Sequence, residues 1–462
     1  MTGLQFTVQV GTLPAETFTV LSFELDEQLS HRPLDGYQQW CGPFQLCIEL
    51  ASPRSDVDVN TVLDHPCEMV VWFDGLVQRR ISGVVSAFEH RDTGFRRSRY
   101  QMEVRPALWR LSLRRNCRIF QQQTPVEIIS AMLHEMNIID YAFTLRHDHP
   151  VREYCVQYSE SDYDFVIRLA AEEGMFIYHE FEQGSHLLVF ADDACTLADI
   201  PVILPYILRT QALSYGAAVQ GFSYAEVLPP SHLARNDYNF NLPNDGMLQQ
   251  RASDEQLHHY ETYKHVNYPD RYQQDDIGKT FTDYLLDSLR AYATTGSGKS
   301  NCAALASGQR FTLKEHPSGT LNRNWLLVTV HHEGKQPQAQ ALEEEGASEP
   351  TTYHNTFSVI DAHLTWCNVP SRPPRITGPL SALVVGPAGE EIYCDTYGRI
   401  KVQFPWDRDI NTDEHRTCWL EVSRQWADCQ YGSVALPRVG HEVIVSFQEG
   451  DPNRPIVTGV VM

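Results

Sequence analysis

Residues 380–462 alternate between apolar and polar positions on a two-residue period. Ile400, Val402 and Phe404 fall on one face, with Arg399, Lys401 and Gln403 on the other. The same alternation recurs at Val443, Val445 and Phe447, and at Ile456, Thr458 and Val460. Successive side chains of a strand point to opposite faces, so this pattern predicts half-buried strands. Turn clusters separate the runs at Gly386-Pro387-Ala388-Gly389, Asp395-Thr396-Tyr397-Gly398 and Gly450-Asp451-Pro452-Asn453. About five short strands at this spacing predict a small, closed or nearly closed barrel of the OB type.

The preceding chain is also mainly β, with helical insertions. Over residues 1–113, Phe18–Phe23, Phe44–Leu50 and Tyr100–Val104 alternate, and Met69–Phe73 runs into a hairpin signal at Asp74-Gly75. This predicts a first β-barrel. Residues 114–199 read as α+β. Thr124, Pro125 and Glu127 form a capping box, and Ile128, Ile129, Met132, Leu133 and Met136 keep one helix face apolar. A second helix starts near Ser161 and ends at Gly174; a hairpin then turns at Gln183-Gly184. Residues 200–369 predict a second barrel containing one helix, on which Ile277, Phe281, Tyr284, Leu285, Leu289 and Tyr292 share a face. Residues 336–350 read as a polar surface loop. Pro370, Pro373, Pro374 and Pro379 mark residues 370–379 as a linker before the barrel of residues 380–462.

Composition narrows the function classes. The net charge is −22, and the terminal segment holds twelve acidic against seven basic residues. Nucleic-acid binding rests on Lys and Arg neutralising phosphates, so the barrel is not expected to bind nucleic acid. No apolar run approaches the ~20 residues of a membrane span, and no basic-then-apolar signal opens the chain. Eleven cysteines without a CxxC pair read as reduced, mostly buried thiols.

Candidate chemistry is weak throughout. Ala293-Thr294-Thr295-Gly296-Ser297-Gly298-Lys299-Ser300 satisfies a relaxed phosphate-loop pattern, but such a loop must follow a strand and open a helix. Here a helix over about Asp276–Ala293 precedes it. Gly296 and Gly298 are therefore expected to end that helix before an exposed loop, with Lys299 a surface lysine. His258-His259, His331-His332, His147 and His149 lack the spacing of a zinc site. No serine sits in a Gly-x-Ser-x-Gly elbow, and the pairs Glu390-Glu391 and Glu172-Glu173 are adjacent residues that point apart. The expectation is no catalytic, cofactor-binding or metal site, and no cofactor. A P-loop NTPase or a glycan hydrolase is the alternative of a different class.

Two long strings give a specific resemblance. One runs from Val384-Val385-Gly386-Pro387 through Gly398-Arg399-Ile400-Lys401-Val402-Gln403-Phe404-Pro405-Trp406-Asp407-Arg408, and resumes from Trp426-Ala427 to Gly450-Asp451-Pro452-Asn453-Arg454-Pro455-Ile456. The other runs from Tyr158-Ser159-Glu160-Ser161-Asp162-Tyr163 through Arg168-Leu169-Ala170-Ala171-Glu172-Glu173-Gly174-Met175. Both resemble the VgrG spike proteins of bacterial type VI secretion, which are similar to the hub and spike base of contractile phage tails. The resemblance implies phage-hub-like β-barrel domains followed by an OB-fold barrel, with no enzymatic role. It also implies a homotrimer whose two similar hub barrels per chain make a pseudo-sixfold ring on a hexameric tube protein. The implied needle, with its PAAR-repeat tip protein and effectors, would lie beyond Met462, in Val/Gly-rich repeats absent from this chain. Assembly in the bacterial cytoplasm and export by the contractile machine, without a signal peptide, are likewise implied. A phage or prophage baseplate hub is the alternative within this architecture.

Overall fold

The computed structural model describes residues 3–29, 42–94, 96–207, 216–238, 247–253, 263–268, 272, 275–340, 349–364, 366–407, 419–424 and 435–461. The chain divides into two compact units, neither contiguous in sequence. The larger comprises residues 1–109, 138–147 and 170–370, and the smaller residues 110–137, 148–169 and 371–462.

The larger unit is built on one twelve-stranded sheet, whose second half closes on itself. Its first half runs Leu4–Val10, Pro66–Phe73, Leu76–Thr93, Ser98–Arg105, Phe44–Ser52 and Thr19–Gln28 in spatial order, every neighbour antiparallel. Phe6, Phe23, Phe44, Ile48, Met69 and Met102 fill its interior. The expected hairpin turn is present: Asp74 and Gly75 adopt φ of 50° and 79°, the left-handed pair that a tight two-residue turn needs.

The first and last strands of this half are not paired by a backbone ladder. Phe6 and Phe23 meet edge-to-face at 4.9 Å, and the Gln336 side chain bridges the two backbones. The second half closes as a ring of Asn324–Lys335, Thr352–Asp361, Thr294–Ser300, Val219–Glu226, Asp199–Pro205 and Arg310–Lys314. A parallel bridge between Tyr206 and Val219, with Ile207 N donating to Val219 O at 2.9 Å, completes it. Trp325, Phe311, Phe357, Leu313 and Val359 form its core. The two rings are joined where Thr329–Lys335 pairs with Ser22–Gln28.

Helix boundaries follow local chemistry. Helix α1 (Pro125–Glu135) has its capping box: Thr124 Oγ1 accepts from Glu127 N at 3.2 Å, and Glu127 Oε2 accepts from Thr124 N at 2.7 Å. Helix α2 (Asp162–Glu172) opens where the Ser161 hydroxyl accepts from Asp164 N at 3.0 Å. It is followed by Gly174 at φ 73°. A Cβ on Gly174 would lie 2.8 Å from the Tyr284 ring, so glycine is required there for space as well. Helix α3 (Asp275–Arg290) ends at Arg290, and a strand begins at Thr294.

The smaller unit contains the expected barrel. Leu380–Val385, Ile400–Gln403, Trp419–Val422, Pro455–Val460 and Glu442–Phe447 close in that order around Val384, Ile400, Val402, Leu420, Val443 and Val445. One phase differs from the alternation read along the sequence. A register shift between Ile444 and Val445 skips Thr458 and sets Val457 opposite Val445. Val457 is therefore buried, while Thr458 and Val460 are exposed. Lys401, on the expected polar face, is also buried, with its ammonium 5.1 Å from the Trp419 ring. Two strands not anticipated, Arg115–Gln123 and Arg152–Ser161, form an antiparallel ribbon in this unit. Ile119 and Tyr154 of the ribbon pack on the barrel core, and Asn453 Oδ1 accepts from Val156 N at 2.7 Å.

Candidate functional site

A cluster of buried polar side chains lies where the two rings join. Each member occupies a core-facing position on a strand: Glu27 follows Phe23 and Leu25, Arg79 precedes Ile81, and His332 follows Val330. Arg79 Nη2 is hydrogen-bonded to Glu27 Oε1, and Arg79 Nη1 donates to Leu305 O and to His332 Nε2, the latter at 2.9 Å. His332 Nδ1 lies 2.6 Å from Tyr353 Oη. Asn355 Nδ2 donates to Tyr353 Oη at 2.9 Å and to Cys302 O at 2.7 Å.

The electrostatics fix the protonation states. Burial works against a charge on His332, the Arg79 guanidinium adds to the penalty, and its pKa falls to about 4. The ring is then neutral, donating from Nδ1 to Tyr353 and accepting at Nε2 from Arg79. Burial would raise Glu27, but Arg79 outweighs it and holds the carboxyl below its usual range. Burial raises the Tyr353 phenol, which stays protonated. One buried ion pair with a neutral histidine relay ties strands of both rings together. This arrangement fixes geometry and presents no nucleophile to solvent.

The outer face of the same joint is concave, with a cavity of about 800 Å³. Its floor is a row crossing five strands in register, Ser223, Ser297, Ser358, Thr329 and Gln28. Ser223 and Ser297 hydroxyls are 2.6 Å apart, and Thr329 and Ser358 hydroxyls 2.5 Å apart.

The phosphate-loop-like stretch lies in this face, and its expected loop is corrected to a strand. Thr294–Ser300 pairs with Val219–Glu226 on one side and Thr352–Asp361 on the other. Its backbone groups are taken up by two ladders, so they cannot converge on a phosphate. Gly296 and Gly298 end no helix. A Cβ on Gly296 would meet Phe222 at 2.7 Å, and one on Gly298 would meet Phe357 and lie 2.8 Å from Gly221 O. Glycine is used there because aromatic rings lie flat across the strand. Lys299 is exposed, as expected.

The remaining candidates are dispersed. The His147 ring lies 3.2 Å from the buried Asp192 carboxylate, which also accepts from the backbone of Arg146 and His147. Glu390 and Glu391 are exposed, and Glu391 pairs with Arg438 at 2.9 Å. Glu173 is buried. His258-His259 and Trp426 lie outside the described residues, as does most of the 336–350 segment. Among the described residues, no group of three or more His, Cys, Asp or Glu is disposed to hold a metal ion, and the cysteines are free thiols. No described helix is long and apolar enough to cross a membrane. Reading the sequence for catalytic motifs misses Glu27, Arg79 and Asn355. The signal that marks them is a polar residue at an inward position of an alternating strand.

A family profile described as the phage tail baseplate hub (GPD) matches residues 39–338, well over half of the chain. The chain belongs to the phage tail baseplate hub family. A second profile, the type VI secretion system/phage-baseplate injector OB domain, matches residues 393–461. Curated relatives include the actin cross-linking toxin VgrG1 of Vibrio cholerae, 43% identical over 99% of this chain and 42% of that protein. The type VI secretion system spike protein VgrG3 of Vibrio cholerae is 42% identical over 99% of this chain and 45% of that protein. VgrG2b of Pseudomonas aeruginosa, also a spike protein, is 38% identical over 99% and 44%. The chain is thus a VgrG homologue and spans about half the length of these relatives. The E. coli c3393 protein, a component of the type VI secretion system structurally similar to T4 bacteriophage gp27 and gp5, has the same fold. Its TM-score is 0.68 at 21% identity, covering 98% of this chain and 99% of that one. A chain of the half-lidded Francisella PdpA–VgrG complex matches with a TM-score of 0.62 at 7% identity, over 100% and 78%. The mainly β hub with a terminal OB barrel, expected from the sequence, is this family's fold.

Proposed function

We propose that this chain is the hub and spike base of a type VI secretion puncturing device, acting as a trimer with a mechanical role and no catalytic one. The observation that carries the reading is the pair of six-stranded rings fused through one strand pairing. Three such chains around an axis would present six similar rings, a face suited to a hexameric tube. The closed five-stranded barrel would then serve as the spike base, continuing toward a β-helical needle, a PAAR-repeat tip protein and effectors. Assembly in the bacterial cytoplasm and export by the contractile machine are part of the same reading.

Each chain carries −22, so three copies repel one another and need an extensive apolar contact to stay together. Sedimentation of the purified chain tests this: a trimer that pulls down the hexameric tube protein supports the reading. A chain that stays monomeric at all concentrations and ignores the tube, with or without the remainder of the protein, defeats it. The toxin named in one relative is placed by this reading in a part of that protein outside the matched region. Loss of actin cross-linking on deleting the matched region's complement would agree with that placement.

A further inference from the structure

The outward face of the joint between the two rings carries a different set of charges from the inward face. His331 and His332 are adjacent on one strand and point to opposite sides of it. On the outward side, His331 Nδ1 is 2.7 Å from Asp26 Oδ1, on the strand directly opposite. Its Nε2 is 3.1 Å from Glu333 Oε1, two residues along its own strand. Glu333 Oε2 is in turn 3.4 Å from His354 Nε2, on the neighbouring strand of the second ring.

Charges of one sign oppose each other here. Glu333 stands directly across from Glu24, and Asp26 is two residues further along that strand. Like charges at opposed positions of an antiparallel pair are destabilising. The other groups facing His331 do little to offset them. Thr356 is its partner in the second ring, with exposed Lys299 one strand beyond, and Gln45 lies beyond Asp26. Lys335 is exposed and pairs in register with Ser22. Behind the strand, Arg79 and Glu27 are committed to each other and to His332.

We propose that His331 is a proton-operated clasp on the joint between the two rings. With both ring nitrogens protonated, the imidazolium donates to Asp26 on the first ring's strand and to Glu333 on the shared strand, cross-linking them. When one proton leaves, one ring nitrogen becomes an acceptor facing a carboxylate, and that bond is lost. Asp26, Glu24 and Glu333 then face one another across the joint without an intervening cation from this strand.

The titration runs in the matching direction. Partial burial of the ring opposes its charge, but Asp26 and Glu333 outweigh burial and raise the His331 pKa above its usual value. A histidine whose pKa is raised on folding stabilises fully below the unfolded value of about 6.5 and loses that stabilisation as pH rises through the folded value. His332, one residue away, is shifted the opposite way. The joint is therefore weakened from the outer face by alkali and from the inner face by acid.

Hydrogen exchange of the full chain, corrected for intrinsic exchange rates, tests the clasp. The readout is protection of segments 19–28 and 324–335 at about pH 6 and about pH 8.5, referenced to the strands of residues 380–462. Because His332 acts in the opposite direction over the same range, the comparison is wild type against variant at each pH. Wild type is expected to be about three- to tenfold better protected than His331→Gln in the joint segments at about pH 6, and to lose that advantage by about pH 8.5. Asp26→Asn, which keeps an acceptor but removes a charge, is expected to lie between them at the lower pH and serves if His331→Gln does not fold. A wild-type advantage that is the same at both pH values overturns the proposal. So does a His331→Gln or Asp26→Asn chain protected as well as wild type at the lower pH.

Discussion

The Gln336 side chain joins Phe6 to Val20, two residues on strands that share no backbone ladder: Oε1 accepts from Phe6 N at 2.8 Å, and Nε2 donates to Val20 O at 3.2 Å. Its own backbone N–H donates to Leu21 O at 2.7 Å. One carboxamide thus closes the first ring. Gln336→Leu is expected to leave two buried backbone groups unpaired, at about 1–3 kcal/mol each at most. Gln336→Glu, which keeps the acceptor for Phe6 but buries a carboxylate oxygen against the Val20 carbonyl, is expected to be at least as destabilised as the leucine variant in urea unfolding. A leucine variant as stable as wild type would show that Phe6 and Phe23 packing closes the ring unaided.

Arg79 and Glu27 make a second prediction. Arg79→Met strands the Glu27 carboxylate in the core, and breaking a buried pair in this way costs about 3–5 kcal/mol. The double variant Glu27→Gln with Arg79→Met removes both charges and is expected to recover part of that loss. A thermodynamic cycle measures it, and additive losses from the two single changes would show that the pair is not coupled.

Acid should act through His332. Its folded pKa, about 4, lies below the unfolded value of about 6.5, so the unfolded chain takes up a proton that the folded chain refuses. The resulting loss of stability begins as pH falls through 6.5 and is complete near 4. At full extent it is on the order of 3 kcal/mol. Glu27, held low by Arg79, adds a loss in the same direction at still lower pH. Urea midpoints at about pH 7 and about pH 4.5 check this, and His332→Gln is expected to show a shallower decline than wild type.

Gly298 separates a strand from a phosphate loop. Gly298→Val would drive side-chain atoms into Phe357 and the Gly221 carbonyl, so the second ring should be badly destabilised, by several kcal/mol. Lys299→Ala removes an exposed side chain and should change stability by about 0.5 kcal/mol or less. A true phosphate loop would give a different pattern, in which Lys299→Ala abolishes nucleotide binding; calorimetric titration with ATP and magnesium distinguishes the two.

What could be read in the sequence was local. The Thr124–Glu127 capping box, the Asp74-Gly75 turn and Gly174 are each decided within a few residues, and each is found where the pattern places it. The Gln336 bridge, the Arg79–Glu27 pair and the ribbon of Arg115–Gln123 with Arg152–Ser161 depend on residues far apart in the chain. Alternation alone is silent about which distant strand completes a ring. The Thr294–Ser300 strand was hidden for another reason: its glycines mimic a helix end, whereas they make room for Phe222 and Phe357 from neighbouring strands.

The last strand of the terminal barrel offers the sharpest contrast between pattern and packing. Strict alternation places Ile456, Thr458 and Val460 inside together, yet the shift at Ile444 and Val445 brings Val457 into the core opposite Val445 and leaves Val460 half exposed. Val457→Asp would bury a carboxylate among Leu420, Val443 and Val445, and the barrel should unfold. Val460→Asp places the same charge in water and should cost about 0.5 kcal/mol or less. Circular dichroism and proteolysis of the two variants in the full chain decide between phases. If Val460→Asp unfolds the barrel and Val457→Asp does not, the strand lies one residue out of the register described here.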